Sequence, residues 1–172
     1  MTEFDNLSIS LATSGLHNKD FTSVELTNHF IEKIEKNLNL NTFITKTFDI
    51  ANKMAKKSDE NIANKNFRPL EGIPIGMKDL FCTNGTKTTA GSKILENFIP
   101  FYESTVSKNL WDSGAVMLGK TNMDEFAMGS ANTTSYFGNV INPLNPHSDK
   151  KKNLFLVVLL EDQLQQFLLG FA

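Results

Sequence analysis

The chain has 172 residues, 40% of them hydrophobic, and no biased tract typical of disorder, so one globular domain is expected. Its 17 Lys and Arg stand against 19 Asp and Glu, and this net charge of −2 excludes a global positive field for holding nucleic acid. A single cysteine, Cys82, excludes an intrachain disulfide, and the lack of any signal peptide or of the roughly 20 consecutive apolar residues of a membrane helix predicts a cytoplasmic protein.

Residues 22–37 are predicted to form an amphipathic helix. Thr22 and Glu25 match a capping box, the pairing of side chains and backbone N–H groups that starts many helices. Apolar residues then recur at helical spacing with charges between them, at Val24, Phe30, Ile31, Ile34 and Leu38. A second helix is expected to begin near Asp49, with a solvated basic face formed by Lys53, Lys56 and Lys57.

The pattern changes after a polar loop at residues 61–68. GIPIGMKD, residues 72–79, predicts a short buried strand that opens into a loop. Ser104 can cap a helix that runs through Trp111 and stops at Gly114, and AVML at residues 115–118 predicts the next strand. The order strand, helix, strand favours a βαβ unit and a parallel sheet.

Lys78 is the first candidate for chemistry. It follows the apolar residues of the first predicted strand, where loss of water would favour a neutral amine that can act as a general base. A lysine at a strand end is more often simply exposed, so its position alone leaves both interpretations open. Cys82 is interpreted as a small core residue rather than a nucleophile. No Cys and His spacing typical of zinc is present, so no metal site is expected.

A longer set of motifs supports a catalytic role for Lys78. EGIPIGMKDLF and LGKTNMDEFAMGS make most of residues 1–145 resemble the amidase-signature family. The resemblance implies an α/β fold: N-terminal helices followed by the first strands of a mixed or parallel amidase-signature sheet, which is incomplete here. It also implies two parts, the N-terminal part of an amidase-signature domain at 1–150 and a non-family tail at 151–172.

What the resemblance implies for mechanism is a relay of one lysine and two serines. The lysine draws a proton from a nucleophilic serine through a second serine on a cis peptide bond. Lys78 corresponds to that lysine by its position in GMKD. Met128, Gly129 and Ser130 fall in a loop that approaches the nucleophile, so they are expected to contact substrate, with a packed turn as the alternative. Asp124 and Glu125 are assigned a structural role at a helix start.

Within the family, three segments most resemble the glutaminase subunits of tRNA-dependent amidotransferases: KDLFCTNGTKTTAGSKIL, FYESTV and GKTNMDEFAMGSANTTSYFGNVINP. The implied substrate is glutamine, and the implied partners are the B and C subunits of the amidotransferase. The B partner would take the ammonia and activate Glu-tRNA(Gln) or Asp-tRNA(Asn) with ATP and Mg²⁺, while the small C partner braces the pair. No cofactor is expected in the glutaminase itself. A stand-alone amidase and a non-catalytic fragment are the alternatives.

The tail departs from the family pattern. Soon after Asn142 and Pro143 the family carries a stretch such as PGGSSGGSAAA, which holds the bridging serine. Here residues 150–172 read KKKNLFLVVLLEDQLQQFLLGFA, with Gly170 as the one glycine and no serine. The tail therefore offers neither the relay hydroxyls nor an oxyanion hole, and we expect this chain to be inactive and poorly soluble.

A shifted reading frame can account for the tail. Synonymous codons for residues 156–171, regrouped one base earlier, translate as PGGSSGGSAAAVSSGF, the family motif. The first base of each regrouped codon is a free third position, but its second and third bases are fixed by the first two bases of an observed residue, which argues against a chance match. Our hypothesis is the loss of one nucleotide in the adenine-rich codons of residues 150–153. An amphipathic C-terminal helix is the alternative.

Overall fold

The computed structural model describes residues 4–142, and the predictions made for residues 143–172 lie outside this range. The elements are, in chain order, α1 (Ile9–Asn18), α2 (Ser23–Lys36), β1 (Phe43–Lys46), α3 (Phe48–Ala63), β2 (Pro74–Lys78), α4 (Thr105–Asp112) and β3 (Val116–Thr121). Short 3-10 turns occur at Phe4–Asn6, Leu38–Leu40 and Glu125–Ala127. Among the residues described, no helix is both long and apolar enough to cross a membrane.

The helix predicted at 22–37 is confirmed as α2. Thr22 accepts a hydrogen bond from the Glu25 backbone N–H at 3.1 Å, and the Glu25 carboxylate accepts one from the Thr22 backbone N–H at 2.8 Å. Both bonds of the capping box are therefore present, and they satisfy backbone donors that the helix leaves free. The helix buries its apolar stripe, including Leu26, Phe30 and Ile34.

The second predicted helix is α3, which begins one residue before Asp49. The helix buries Ala51 and Ala55. The predicted basic face is exposed, at Lys53, Lys56 and Lys57. We call α1, α2 and α3 the helical layer. Side chains from this layer and from the strands form one apolar core, which includes Leu16, Leu26, Phe30, Ile73, Val116 and Leu118. Burying each large side chain contributes about 1.5–3 kcal/mol.

The sheet has the order β1-β3-β2. Strands β2 and β3 are parallel, and α4 lies between them in the chain with Ser104 as its N-cap, so the predicted βαβ unit is confirmed. Strand β1 pairs antiparallel with β3 and makes the sheet mixed. Gly119 permits this close pairing, since a Cβ there would lie 2.4 Å from the Thr45 carbonyl oxygen. Strand β1 was not predicted, because its sequence FITK combines two apolar with two polar residues and lacks the continuous apolar run that marked the other two strands.

Candidate active site

Lys78 is the last residue of β2 and lies at the edge of a pocket. The pocket encloses about 290 Å³, including space open to solvent, and is lined by Lys78, Met123, Asp124, Ala127, Gly129, Ser130 and Asn132. Lys78 is half-buried, and its ammonium group makes no hydrogen bond or ion pair within residues 4–142. The strand therefore holds this lysine at the pocket, and its charged end has no partner among the residues that the structure describes.

The residue after Lys78 anchors the loop that follows. Asp79 is fully buried, and one oxygen of its carboxylate accepts hydrogen bonds from the Thr89 backbone N–H at 2.9 Å and the Thr89 hydroxyl at 2.5 Å. Burial raises the pKa of Asp79, and the bonds from Thr89 oppose that rise. The second carboxylate oxygen is buried without a partner among the described residues. Asp79 thus fixes the turn at Thr89 next to the end of β2.

A second lysine, Lys120 of the neighbouring strand β3, also stabilises this loop. Its ammonium group is buried and donates to the Phe81 carbonyl oxygen and to the hydroxyls of Thr83 and Thr88. Burial lowers the pKa of Lys120 to about 8, although the nearby charge of Asp79 acts in the opposite direction. From the sequence, Lys120 was recognised only as part of a motif. Its buried position depends on a loop nearly 40 residues earlier in the chain.

Backbone hydrogen bonds connect this loop to the opposite wall of the pocket. The Ala90 N–H donates to the Asp79 carbonyl oxygen at 3.0 Å, and the Ala90 carbonyl oxygen accepts from the Phe126 N–H at 2.8 Å. The Gly91 carbonyl oxygen accepts from the Tyr136 N–H at 2.9 Å. We call residues 79–92 and 122–136 the loop region. Its two halves are bonded to each other next to the end of β2.

Asp124 organises the second half of the loop region. Its carboxylate accepts five hydrogen bonds, from the backbone N–H groups of Ala131, Asn132, Thr133 and Thr134 and from the Thr134 hydroxyl. Burial raises the pKa of Asp124, but these bonds outweigh it and hold the pKa below its usual value. Gly129 is required beside this carboxylate, because a Cβ there would lie 2.5 Å from Asp124 Cγ.

The structural role expected for Asp124 is present, but the reason given for it was wrong. Asp124 precedes only the 3-10 turn Glu125–Ala127, and its side chain makes no capping bond to that turn. The carboxylate instead faces the chain seven to ten residues later, where four backbone N–H groups converge on it. Cys82, expected in the core, is half-buried in the loop after β2, where its thiol contacts the Tyr102 hydroxyl.

The predicted substrate-contact residues are only partly brought to the pocket. Gly129 and Ser130 line it together with Lys78, whereas the Met128 side chain is 82% exposed and is not part of the lining. Asn132, which was not predicted from the sequence, lines the pocket and is buried. Nothing in the local sequence distinguishes Asn132, because its position results from the bonds that converge on Asp124.

Within residues 4–142 no group of three or more His, Cys, Asp or Glu side chains is arranged to hold a metal ion. The lining of the pocket combines one lysine, one carboxylate that is already fully bonded, the apolar Met123, and small or polar residues. Such a set can bind a small polar ligand and can offer an amine for proton transfer. The described residues place no other titratable side chain on the lining.

Comparison with known proteins assigns this arrangement to a family. A family model described as Amidase matches residues 25–149. The chain is 59% identical over 143 residues to the A subunit of the glutamyl-tRNA(Gln) amidotransferase of Rickettsia bellii, a match that covers 83% of this chain and 29% of that protein. It is 58% identical over 146 residues to the protein of the same name from Caulobacter vibrioides, with 85% and 30% covered. The chain thus spans about three tenths of the length of these relatives.

Solved structures agree with the sequence comparison. A protein of a complex described as vestigial, which reveals the origins of an s-triazine catabolic enzyme, superposes with a TM-score of 0.76 at 28% identity over 80% of this chain and 31% of that one. A bacterial aryl acylamidase of the amidase-signature enzymes gives a TM-score of 0.74 at 26% identity, with 84% and 31% covered. Sequence and fold therefore indicate the same set of enzymes.

Proposed function

Because this chain belongs to the amidase family, we propose that it is the N-terminal part of the glutamine-hydrolysing subunit of a tRNA-dependent amidotransferase. The observation that carries the proposal is the identity of 58–59% to two proteins named as the A subunit of glutamyl-tRNA(Gln) amidotransferase. The amidases of known structure are similar at only 26–28% identity. The sequence is thus much closer to the amidotransferase proteins than to these amidases.

In the proposed reaction Lys78 is the general base. Its unengaged side chain at the pocket edge is compatible with a proton relay through two serines supplied by a segment outside residues 4–142. The nucleophilic serine attacks the carboxamide carbon of glutamine, ammonia leaves with the relayed proton, and water then releases glutamate from the acyl-enzyme. Gly129 and Ser130 would contact the substrate from the opposite wall.

The proposed assembly is a heterotrimer that works in the cytoplasm. The B partner would use the ammonia to convert Glu-tRNA(Gln) to Gln-tRNA(Gln), or Asp-tRNA(Asn) to Asn-tRNA(Asn), with ATP and Mg²⁺, and the C partner would brace the pair. The net charge of −2 supports leaving tRNA binding mainly to the B partner. Co-purification with the B and C subunits tests this assembly, because a stand-alone amidase would neither bind them nor depend on them.

We also propose that the gene carries a one-nucleotide loss near the codons of residues 150–153. Support comes from residues 156–171, whose codons can be regrouped to give PGGSSGGSAAAVSSGF. Sequencing the gene through the lysine codons decides the matter. We expect the glycine- and serine-rich motif one frame away, and its absence from every frame would refute the frame hypothesis.

Glutaminase assays test the function itself. The 172-residue chain is expected to release no ammonia from glutamine above background, because its sequence lacks the serine-bearing motif. The frame-restored protein, assembled with the B and C subunits, should hydrolyse glutamine and lose that activity on Lys78→Ala. An inactive frame-restored complex would contradict the proposed function, whereas turnover by the 172-residue chain would contradict the assignment of the relay.

A further inference from the structure

The segment that leads into α4 exposes several large apolar side chains. Ile94 is 83% exposed and Phe101 is 88% exposed, and three further apolar side chains of the same segment are exposed as well. We call these five residues the apolar strip: Ile94, Phe98, Ile99, Phe101 and Tyr102. Single exposed apolar residues are ordinary, but five within nine positions are typical of a surface that another protein segment covers.

Backbone hydrogen bonds hold the apolar strip in place. The Thr88 N–H donates to the Phe98 carbonyl oxygen at 3.0 Å, and the Gly85 N–H donates to the Pro100 carbonyl oxygen at 2.9 Å. Both donors belong to the loop that follows β2, so the strip lies against that loop. The apolar side chains are therefore presented to solvent by a backbone with a defined position.

The apolar strip adjoins two other elements that are incompletely covered. Helix α4 follows the strip and buries only Ser107, while its apolar residues Leu110 and Trp111 are half-buried. Helix α2, in contrast, buries six residues. In the part of the chain that the structure describes, β2 has a neighbour on one side only, whereas the strands of parallel sheets are normally covered on both faces and paired. The strip, α4 and the β2 edge thus form one face without a covering layer.

The length of the related proteins indicates what covers this face. The chain spans 29% of the Rickettsia bellii protein and 31% of the bacterial aryl acylamidase. About seven tenths of each related polypeptide therefore has no counterpart in the matched part of this chain. A second copy of the chain would only repeat the same helices and strands. The remaining part of an amidase subunit is the occupant that supplies the missing layer and the missing neighbour of β2.

We propose that the 172-residue chain binds, as a separate polypeptide, the remaining part of an amidase subunit through the apolar strip, the exposed side of α4 and the β2 edge. This inference rests on the proposed function, which makes the chain the N-terminal part of a longer subunit. The strip and α4 contribute apolar area, and the β2 edge contributes backbone hydrogen bonds to an extended segment. Because β2 ends in Lys78, that segment would lie next to the proposed base.

The experiment is co-expression of the tagged 172-residue chain with the part of the Rickettsia bellii A subunit that follows the matched segment. This second polypeptide is available whether or not the frame hypothesis holds. We expect capture of an equimolar complex, which light scattering after size exclusion should show as one species with the summed mass. The second polypeptide is expected in the soluble fraction in larger amount with the 172-residue chain than without it.

Phe101→Asp is the informative variant, because it places a charge in the apolar strip at a side chain that is exposed and not needed for folding. The dissociation constant should rise at least about tenfold. Leu11→Asp is the matched control, since Leu11 lies on α1 of the helical layer, outside the proposed face, and is 57% exposed. Its dissociation constant should stay within about twofold of the wild-type value.

The outcomes separate this inference from the proposed function. No capture although both polypeptides are expressed, or equal weakening by Phe101→Asp and Leu11→Asp, would overturn the interface and leave the glutaminase assay to stand by itself. A 172-residue chain that forms a dimer through the strip and captures nothing would also overturn it. Capture together with an inactive frame-restored complex would support the interface and contradict the proposed function. Capture that only Phe101→Asp weakens, with an active frame-restored complex, supports both.

Discussion

The helical layer and the loop region both contain fully buried side chains, but different interactions hold the two regions together. In the helical layer the largest fully buried side chains are apolar, such as Leu16, Leu26 and Phe30. In the loop region and the strand beneath it they include charged groups, Lys120 and Asp79, each hydrogen-bonded to loop atoms. Apolar burial is tolerant of direction, whereas hydrogen bonds to charged groups require a defined geometry. The region that positions Lys78 is thus the one built from directional bonds.

The largest effect is expected from a cavity in the helical layer. Phe30→Ala removes a ring that is 1% exposed and should lower the free energy of unfolding by about 3–5 kcal/mol in a denaturant titration. The matched control is Phe67→Ala, since Phe67 is 43% exposed and its ring contacts the His17 ring at the surface. Equal losses in the two variants would contradict the view that apolar burial dominates this layer.

A pH-dependent effect is expected next, from Lys120 of strand β3, which bonds to the loop region. The pKa of Lys120 is about 8 in the folded chain against 10.5 for an ordinary lysine, so the unfolded chain binds the extra proton between these values. The free energy of unfolding should therefore rise as pH increases from 8 to 10.5, by about 3 kcal/mol at most. Lys120→Met removes the titrating group and should flatten this rise.

The control for that experiment is Lys108→Met, which removes an exposed lysine of α4 that pairs with Asp112. Its unfolding free energy should retain the wild-type rise between pH 8 and 10.5. A rise that persists unchanged in Lys120→Met would assign it to other groups and refute the lowered pKa of the buried Lys120.

A smaller loss of unfolding free energy is expected when the charge of Asp124, in the second half of the loop region, is removed. Asp124→Asn keeps the shape but replaces one carboxylate oxygen with an NH₂ group that cannot accept, so at least two of the five hydrogen bonds are lost, at a cost of about 2 kcal/mol. Because the pKa of Asp124 is lowered, this contribution is present above pH 3.8 and is lost as pH falls through the folded value. The rate of hydrogen exchange should increase most at the backbone amides of residues 131–134.

Asp112→Asn is the control for Asp124→Asn, because its carboxylate lies in an exposed pair on α4. It should change the free energy of unfolding by less than about 1 kcal/mol. Unaltered exchange at 131–134 in Asp124→Asn would mean that the backbone itself, without the charge, holds the loop.

The smallest effect is expected from the N-terminal cap of α2 in the helical layer. Thr22→Ala removes the hydroxyl that caps α2 and should reduce the free energy of unfolding by about 1 kcal/mol. Thr133→Ala, which removes an exposed threonine side chain, should change it by less than about 0.5 kcal/mol. If both variants are neutral, α2 is maintained by packing alone.

The same contrast explains what the sequence could predict. Helix α2 and strand β2 were predicted because capping residues and runs of apolar side chains lie within a few positions of each other. Three residues of the pocket lining, Lys78, Gly129 and Ser130, were named from the family resemblance. The hydrogen bonds made by Lys120, Asp124 and Asn132 were not predicted, since each depends on partners brought near by folding. A buried lysine has no local signature that separates it from an exposed one.

Strand β2, which ends in Lys78, has a neighbour on one side only within residues 4–142. The N–H and C=O groups of its other side are a template for any extended segment, including the same strand of another molecule. Within residues 4–142, β1 is the other edge strand of the sheet, and self-association through the β2 edge rather than the β1 edge would conceal the proposed catalytic lysine. An extended segment of another molecule would compete for the same edge. The solubility of the chain and the accessibility of Lys78 would then both depend on the equilibrium between a free and a paired β2 edge.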